Sequence, residues 1–195
     1  MKKGVFIVFE GIDGSGKSTC MDAVTLELEK MTTVMKTVEP TRDKTGLLIR
    51  SSMEMTPETE ALLFTADRAE HTVTIKRWMA EGNTVLCDRY FASTLAYQSA
   101  NLHGRSVDMQ WLKILNDKVS ITPDMTFLFD IDPKTALERV EKRGSKSKFE
   151  DLGYLKEVRK NYLNVAKEYG FIVIDASRSK GEVFTEVMKH ISTVI

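Results

Sequence analysis

The chain has 195 residues, of which 42% are hydrophobic and 29% are charged, and its 28 basic side chains balance its 28 acidic ones. This length and composition are typical of one globular domain with a substantial core. The balanced charge argues against nucleic acid as the main partner. No apolar run approaches the roughly 20 residues of a membrane-spanning helix, so we also expect no membrane partner.

The start of the chain and its cysteines favour a protein of the cytoplasm. Met1–Gly4 leads directly into an apolar run without the pattern of a signal peptide. The only two cysteines, Cys20 and Cys87, lack the spacing of a metal or redox site. We therefore predict two buried, free thiols in a reducing compartment.

The first predicted strand, 5–9, is followed by the loop Gly-Ile-Asp-Gly-Ser-Gly-Lys-Ser at 11–18 and by a predicted helix over 19–30. The loop matches the pattern G-x-x-x-x-G-K-[ST] at every fixed position, in the strand–loop–helix setting that this pattern requires. Its glycines let successive backbone N–H groups turn toward phosphate oxygens. Lys17 supplies a charge for the outer phosphates, and Ser18 an oxygen ligand for Mg²⁺.

Four further apolar runs predict strands, at 34–38, 84–87, 125–131 and 171–175. Helical spacing and capping residues predict helices between and after these strands, at 47–52, 57–81, 92–100, 109–118, 133–143, 150–168 and 181–195. Alternating strands and helices predict an α/β fold in three layers, with a five-stranded parallel sheet flanked by helices and a small lid.

The helix predicted over 57–81 has the clearest start signal. Thr56 is expected to cap it, Pro57 occupies the first helical position, and a glutamate in the first turn suggests a capping box. Apolar residues recur along it at helical spacing, so this face is expected to form core or an interface: Leu62, Leu63, Ala66, Ala69, Val73 and Met79.

The carboxyl ends of the predicted strands are polar, which favours a ligand site at that edge of the sheet. Arg42, Arg68 and Arg89 follow these ends or lie near them, and each is a candidate to bind an acceptor phosphate. Phe64 lies one helical turn before Arg68, a pairing that suits a nucleobase. Periodicity alone favours simple core packing for Phe64.

The phosphate loop alone does not identify the reaction, because GTPases, motor ATPases and small-molecule kinases share it. The guanine signature N-K-x-D is not matched, since Asn116-Asp117-Lys118 has the wrong order. A kinase also needs an acceptor pocket and a lid that excludes water. A basic cluster around a flexible loop fits either such a lid or a solvated charge run: Arg139, Arg143, Lys146 and Lys148.

At several places the chain resembles the thymidylate kinase (dTMP kinase) family of P-loop nucleoside monophosphate kinases, over almost its whole length. The matching stretches are Phe9–Thr19, Leu63–Arg68, Asp88–Tyr90 with Ser93 and Ala96–Gln98 after it, and Arg143-Gly144 with Phe149-Glu150. The resemblance implies one kinase domain, 1–195, with a lid at about 143–150. It also implies transfer of the γ-phosphoryl group of ATP to dTMP, with Mg²⁺, by a homodimer.

The resemblance also assigns roles to residues. The catalytic set is Asp13, Lys17, Arg89, Arg143, Lys146 and Lys148. The ATP-binding set is Gly11, Ile12, Asp13, Gly14, Ser15, Gly16, Lys17, Ser18 and Thr19. The dTMP-binding set is Glu39, Arg42, Phe64, Arg68, Arg89, Ser93, Thr94, Tyr97 and Gln98, with Tyr97 crowding the 2′ position of the sugar or else packing as a core aromatic. The metal-binding residues are Ser18 and Asp88.

Two departures from the family pattern leave alternatives open. Gly14 stands where some members have an arginine that meets the transferred phosphate, so one of the three basic lid residues is expected to supply that charge. The segment 39–42 lacks the double glycine of many bacterial members.

The alternative functions are another nucleoside or nucleoside-monophosphate kinase, and a regulatory nucleotide-binding module that is not a kinase.

Overall fold

The computed structural model describes residues 4–51, 54–102, 104–142 and 151–195. Five strands lie in this part of the chain: β1 (Val5–Glu10), β2 (Val34–Val38), β3 (Thr84–Asp88), β4 (Met125–Asp130) and β5 (Ile172–Asp175). The helices described with them are α1 (Lys17–Leu28), α2 (Lys44–Arg50), α3 (Pro57–Ala80), α4 (Phe91–Gln98), α5 (Met109–Val119), α6 (Pro133–Glu141), α7 (Leu152–Tyr169) and α8 (Lys180–Ile191).

All five strands form one parallel sheet in the order β2-β3-β1-β4-β5. The central strand β1 is apolar and buried from Phe6 to Phe9, as expected for a strand that is covered on both faces. Helices α1 and α8 pack on each other and on the sheet, and α3, α4, α5 and α7 pack among themselves and against it. The predicted three-layer α/β fold is confirmed.

The strand order explains where the ligand site lies. Strand β1 leads into the glycine loop and pairs with β3 on one side and β4 on the other. Asp88 ends β3 opposite Phe9 of β1, so it lies beside the start of the loop. The polar strand ends that the sequence predicted are therefore adjacent at one edge of the sheet.

The start of α3 differs in one detail from the prediction. The Thr56 side chain caps the helix by accepting a hydrogen bond from the Thr59 backbone N–H at 3.2 Å, as expected. The residue at the third helical position is Thr59, whose hydroxyl lies 3.0 Å from that of Thr56. The prediction of a capping box at α3 is therefore wrong, because Glu58 and Glu60 lie on either side of the third helical position, where the glutamate is required. A capping box occurs instead at α8, between Ser179 and Glu182.

The buried face of α3 is not the apolar one. Leu62 and Val73 are 48% and 65% exposed, whereas Asp67, Arg68 and His71 are buried. The interpretation of this apolar face as core is therefore wrong for Leu62 and Val73, although Met79 packs against the core, and the interpretation as an interface stays a prediction. The reason is that α3 turns its polar side chains toward a cleft at the carboxyl edge of the sheet.

Both cysteine thiols are buried and free, as predicted. Burial raises the pKa of Cys20 to about 12 and raises that of Cys87 as well. None of the helices in the described ranges is both long and apolar enough to cross a bilayer.

Candidate active site

The glycine loop has the backbone geometry of a phosphate cradle. Gly11, Gly14 and Gly16 all have positive φ, at 144°, 83° and 88°. A Cβ atom added to Gly14 would lie 2.3 Å from the carbonyl oxygen of Ala136, so the loop can pass this point only with glycine. Gly16 is the N-cap of α1 and brings no side chain to that end of the helix. The helix N-terminus is left accessible to an anion.

Lys17 lies at the start of α1 among acidic groups. Its Nζ is 3.7 Å from Asp13 Oδ1 and 3.9 Å from Asp88 Oδ1, and the side chain is buried. Burial and the charge of Arg89 lower the pKa of Lys17, while Asp88 and Asp13 oppose this shift. The two carboxylates therefore favour a charged lysine at the loop.

Ser18 and Asp88, the two residues predicted to bind Mg²⁺, lie next to each other, and their role stays a prediction. The Ser18 hydroxyl donates to Asp88 Oδ2 at 2.5 Å, and Asp88 Oδ1 is buried without a hydrogen-bond partner among the described residues. The described ranges contain no group of three or more His, Cys, Asp or Glu side chains arranged around a common metal position. A hydroxyl with one carboxylate fits Mg²⁺, which commonly binds one or two carboxylates together with substrate phosphates and water.

Arg89 connects the loop to the acceptor side. It is the only non-glycine residue with positive φ in the described ranges, at 71°. Its Nη2 donates to Asp13 Oδ1 at 2.6 Å, and its guanidinium carbon lies 5.2 Å from the centre of the Tyr97 ring. The charge of Arg89 lowers the pKa of Asp13 to about 2, against the raising effect of burial and with help from Lys17.

A cleft of about 370 Å³ opens beside Arg89. It is lined by Asp13, Glu39, Pro40, Ile49, Arg50, Glu60, Phe64, Arg68, Arg89, Tyr90, Ser93, Thr94, Tyr97 and Gln98. The cleft thus brings together every residue of the predicted dTMP-binding set except Arg42. Arg42 is exposed and lies outside the lining, so its assignment stays a prediction.

Arg50 is a cleft residue that the sequence analysis missed. It ends α2 and donates to the carbonyl oxygens of Pro40 and, at 3.3 Å, of Thr41. Thr41 is itself fixed by Asp67, which accepts from its backbone N–H at 2.7 Å and from its hydroxyl at 2.6 Å. The only sequence signal was a basic residue at the end of a short helix after a strand-end loop.

The two aromatic candidates occupy different positions in the cleft. Phe64 is partly exposed at the cleft wall and lies outside the hydrophobic core, so core packing does not explain it. Tyr97 is 93% buried, since only 7% of its surface is exposed, yet it also lines the cleft. Its ring packs edge-on against Tyr154 and Tyr162, with centroids 6.3 and 6.0 Å away. Tyr97 is both a packed aromatic and a cleft residue.

Arg68 lies at the bottom of the cleft in a polar network. It is buried and donates to Glu39 Oε2 at 2.8 Å, to Thr94 Oγ1 at 3.0 Å and to Asn116 Oδ1. The other oxygen of Glu39 is 2.8 Å from His71 Nδ1. Arg68 has five N–H donors, and Glu39 also approaches Nη2 at 2.7 Å, so these contacts use four of them. Within the described ranges, one donor of Arg68 remains without a partner.

The remaining candidates lie elsewhere. Arg139 donates to the Ala176 carbonyl at 3.1 Å, so it joins α6 to the end of β5 and does not line the cleft. Arg143, Lys146 and Lys148 lie outside the described residues, and their lid role stays a prediction. Sequence reasoning also missed Glu10, which ends β1 and is buried beside Arg89, and Tyr162 on α7. A charged residue at the end of an apolar strand was the available signal for Glu10.

Comparison with known proteins identifies the family of the chain. The family model described as thymidylate kinase matches residues 9–187. The chain is 41% identical to a protein of Methanosarcina mazei over 97% of this chain and 96% of that one. It is 40% identical to one of Methanocaldococcus jannaschii (100% and 99%) and 42% identical to one of Archaeoglobus fulgidus (98% and 96%). All three relatives are named probable thymidylate kinase. The chain belongs to the thymidylate kinase family.

Proposed function

We propose that this protein is an ATP:dTMP phosphotransferase that moves the γ-phosphoryl group of ATP to dTMP and yields ADP and dTDP. One observation carries the proposal. Arg89, on the wall of a nucleotide-sized cleft, is paired at 2.6 Å with Asp13 of the glycine loop. The donor loop and the acceptor cleft therefore meet at one ion pair, as transfer between two bound nucleotides requires.

Phosphoryl transfer needs alignment and charge neutralisation more than covalent chemistry. Lys17 and the loop N–H groups would hold the ATP phosphates, while Arg89, with Arg50 or Arg42, would hold the phosphate of dTMP. Asp13 would accept a hydrogen bond from the sugar 3′-hydroxyl. Its ion pair with Arg89 supports this role, because it holds the carboxylate where the loop meets the cleft.

The base would lie deeper in the cleft. Phe64 would stack on thymine, and the remaining donor of Arg68 would reach an acceptor oxygen on its edge. Thr94 and Gln98 would line the base pocket, and Tyr97 would crowd the 2′ position. Because Arg68 can donate but never accept, an exocyclic amino group at that edge is disfavoured.

Mg²⁺ is the metal that we propose for the site, held by the Ser18 hydroxyl and, through water, by Asp88. When bound with ATP, it would neutralise charge on the transferring phosphates. The buried Oδ1 of Asp88, which accepts no hydrogen bond from the described residues, supports this assignment. We also propose that a basic lid residue, Arg143, Lys146 or Lys148, supplies the charge that Gly14 cannot.

We further propose a homodimer that works in the cytoplasm. The apolar residues exposed on α3 support the dimer, since Leu62 and Val73 lie on one helical face without cover. The family resemblance points to the same oligomeric state.

A coupled assay of ADP release tests the reaction. The purified protein is given ATP and Mg²⁺ with dTMP, dUMP, dCMP, dGMP or no acceptor, and Lys17→Ala serves as the inactive control. We expect rapid ADP release with dTMP, slower release with dUMP and little with the other acceptors. Equal release with and without an acceptor would instead support the regulatory nucleotide-binding module.

A further inference from the structure

Helix α4 carries much of the acceptor cleft, but it begins without a cap of its own. Its N-cap residue is Tyr90, whose side chain makes no capping hydrogen bond within the described part of the chain. The cap is supplied instead by a residue of strand β1. Glu10 Oε1, at the end of β1, accepts from the backbone N–H of Tyr90 at 2.8 Å and of Ser93 at 3.2 Å. A carboxylate at this place also meets the positive end of the helix dipole.

The second oxygen of Glu10 contacts two hydroxyl groups. The Ser93 hydroxyl donates to Glu10 Oε2 at 2.6 Å, and the Tyr162 hydroxyl lies 3.2 Å from the same oxygen. Arg89 Nη1 donates to both hydroxyls, to Ser93 Oγ at 3.1 Å and to the Tyr162 oxygen at 3.2 Å. Glu10 therefore acts on Arg89 through the hydroxyls of Ser93 and Tyr162, and no direct hydrogen bond joins the two charged side chains within the described ranges.

This arrangement sets the direction of the guanidinium. The guanidinium is planar, with its N–H donors in a fixed fork, so the placement of Nη1 largely determines where Nη2 points. Nη2 points to Asp13 at 2.6 Å. The Ser93 hydroxyl gives its hydrogen to the Glu10 carboxylate and therefore presents its lone pairs to Arg89. The Tyr162 hydroxyl, 2.7 Å from Ser93 Oγ and 3.2 Å from Glu10 Oε2, completes this group.

The backbone around Arg89 needs the same support. Its positive φ is unfavourable for a side chain of this size, and such a conformation persists only where the surroundings fix it. The neighbouring residues provide this. The Arg89 backbone N–H donates to the Phe9 carbonyl at 2.9 Å, and the next N–H, of Tyr90, donates to Glu10.

A buried glutamate is energetically unfavourable at a position that serves only packing. It is fully buried at the end of an apolar strand, and burial of an unpaired carboxylate is strongly unfavourable. Burial raises the pKa of Glu10, and the hydrogen bond from Ser93 and the charge of Arg89 oppose the rise. The two side chains that contact this carboxylate, Ser93 and Tyr162, also accept hydrogen bonds from Arg89.

We propose that Glu10 and Tyr162 are positioning residues for phosphoryl transfer, which through Ser93 and the start of α4 orient Arg89 between the glycine loop and the acceptor cleft. The inference rests on the proposed function. Neither side chain is expected to contact substrate: Glu10 is enclosed, and Tyr162 does not line the cleft.

The test compares Tyr162→Phe and Glu10→Gln with Tyr154→Phe as the matched control. Tyr154 is also a buried tyrosine of α7, and its hydroxyl donates to the Tyr97 carbonyl of α4 at 2.8 Å. Each variant loses hydrogen bonding between buried groups, but only Glu10 and Tyr162 belong to the hydrogen-bond network around Arg89 Nη1. Tyr154 is connected to Arg89 through its contacts with Tyr97, and phenylalanine keeps the ring packing of that connection. The measurements are kcat, the KM for each nucleotide and the melting temperature Tm.

We expect Tyr162→Phe and Glu10→Gln to lower kcat by about 10- to 100-fold, the scale of a misplaced reacting group, with little change in the KM for ATP. Tyr154→Phe should keep kcat within about twofold of the wild type, while its Tm falls about as much as that of Tyr162→Phe. If Glu10→Gln does not fold, Tyr162→Phe still decides, because it removes a single oxygen atom.

Two results would overturn the inference. The inference is wrong if Tyr162→Phe keeps the wild-type kcat. It is also wrong if Tyr162→Phe and Tyr154→Phe lose equal amounts of kcat, which would indicate general loosening of α7. A wild-type protein that makes no dTDP would instead overturn the proposed function, and the inference with it. An active wild type with unaffected variants overturns the inference alone.

Discussion

Opposite charges face each other where the donor and acceptor pockets meet. Lys17, Asp13 and Arg89 alternate in sign over distances of 3.7 and 2.6 Å. The Asp13 carboxylate holds both cations in place, so the basic groups need little reorganisation when phosphates arrive. At the scale of single residues, the account depends on this preorganised row.

The row makes a prediction about the protonation of Asp13. Its pKa is about 2 in the folded protein, mainly because of Arg89, and is near 3.8 without such neighbours. Because the folded pKa is the lower one, ionised Asp13 stabilises the fold above about pH 4, and this contribution is lost as the pH falls through about 2. In Arg89→Ala we expect the midpoint to rise toward 3.8. Carboxyl ¹³C titration measures it, and an unchanged midpoint would mean that the ion pair does not form in solution.

A second prediction separates the two arginines that compete for the acceptor phosphate. Arg50 lines the cleft, whereas Arg42 is exposed outside it. Arg50→Ala should raise the KM for dTMP by about 10- to 100-fold, the value of one charge-assisted hydrogen bond, and should leave the KM for ATP nearly unchanged. Arg42→Ala is the matched variant, with a smaller expected effect. A larger increase in the KM for dTMP in Arg42→Ala than in Arg50→Ala would support the predicted role of Arg42.

At the scale of elements, the glycine loop is fixed by its contact with α6 as well as by its own sequence. A side chain at Gly14 would strike the Ala136 carbonyl, while Gly16 and Gly170 have open space around them. The loop is thus clamped between β1 and the first turns of α6, which explains how a glycine-rich segment can hold one shape.

This clamp predicts unequal costs for two glycine substitutions. Gly170, which ends α7, has φ of 70° and no atoms within 4 Å of an added Cβ, so Gly170→Ala should cost only the backbone strain of about 1–2 kcal/mol. Gly14→Ala carries the same strain and adds overpacking of about 1–3 kcal/mol. Chemical denaturation of both variants measures the free energies of unfolding. Equal losses would rule out the clamp.

The elements also explain what the sequence could predict. The glycine loop and the apolar strands have local signatures, and the structure confirms them: β2 has the predicted bounds, and β1 ends one residue later. The face of α3 could not be predicted, because most of its buried side chains are polar, and Arg68 among them contacts partners far away in sequence, Glu39 and Asn116. Arg50 was missed for the same reason, since only the folded path of 40–41 brings it to the cleft.

At the scale of the whole molecule, the strand order joins the two halves of the site. The loop after β1 supplies the donor side, and β3 with α4 supplies the acceptor side. Because β1 and β3 are neighbours in the sheet, Asp88 and Arg89 meet the loop. The far side of α3 leaves its apolar residues uncovered, and this is where we place the second copy of the chain.

The dimer gives a further prediction. Val73→Glu places a charge in the exposed apolar face of α3 and should reduce the mass in solution from twice the chain mass to the 22.1 kDa of one chain. Leu26→Glu is the control, because Leu26 is equally exposed, at 68%, but lies on α1. Light scattering after size exclusion gives the masses. A wild-type monomer would contradict the proposed dimer, and a dimeric Val73→Glu variant would place the contact elsewhere.

The central claim is that the donor loop and the acceptor cleft act on one phosphoryl group. The most direct test incubates the wild-type protein with γ-labelled ATP, Mg²⁺ and dTMP, and follows the label into nucleotide or into inorganic phosphate. The account predicts label in dTDP in equal amount to the ADP formed, none without dTMP, and almost none with Lys17→Ala. Label that appears as inorganic phosphate at the same rate with and without dTMP would contradict it.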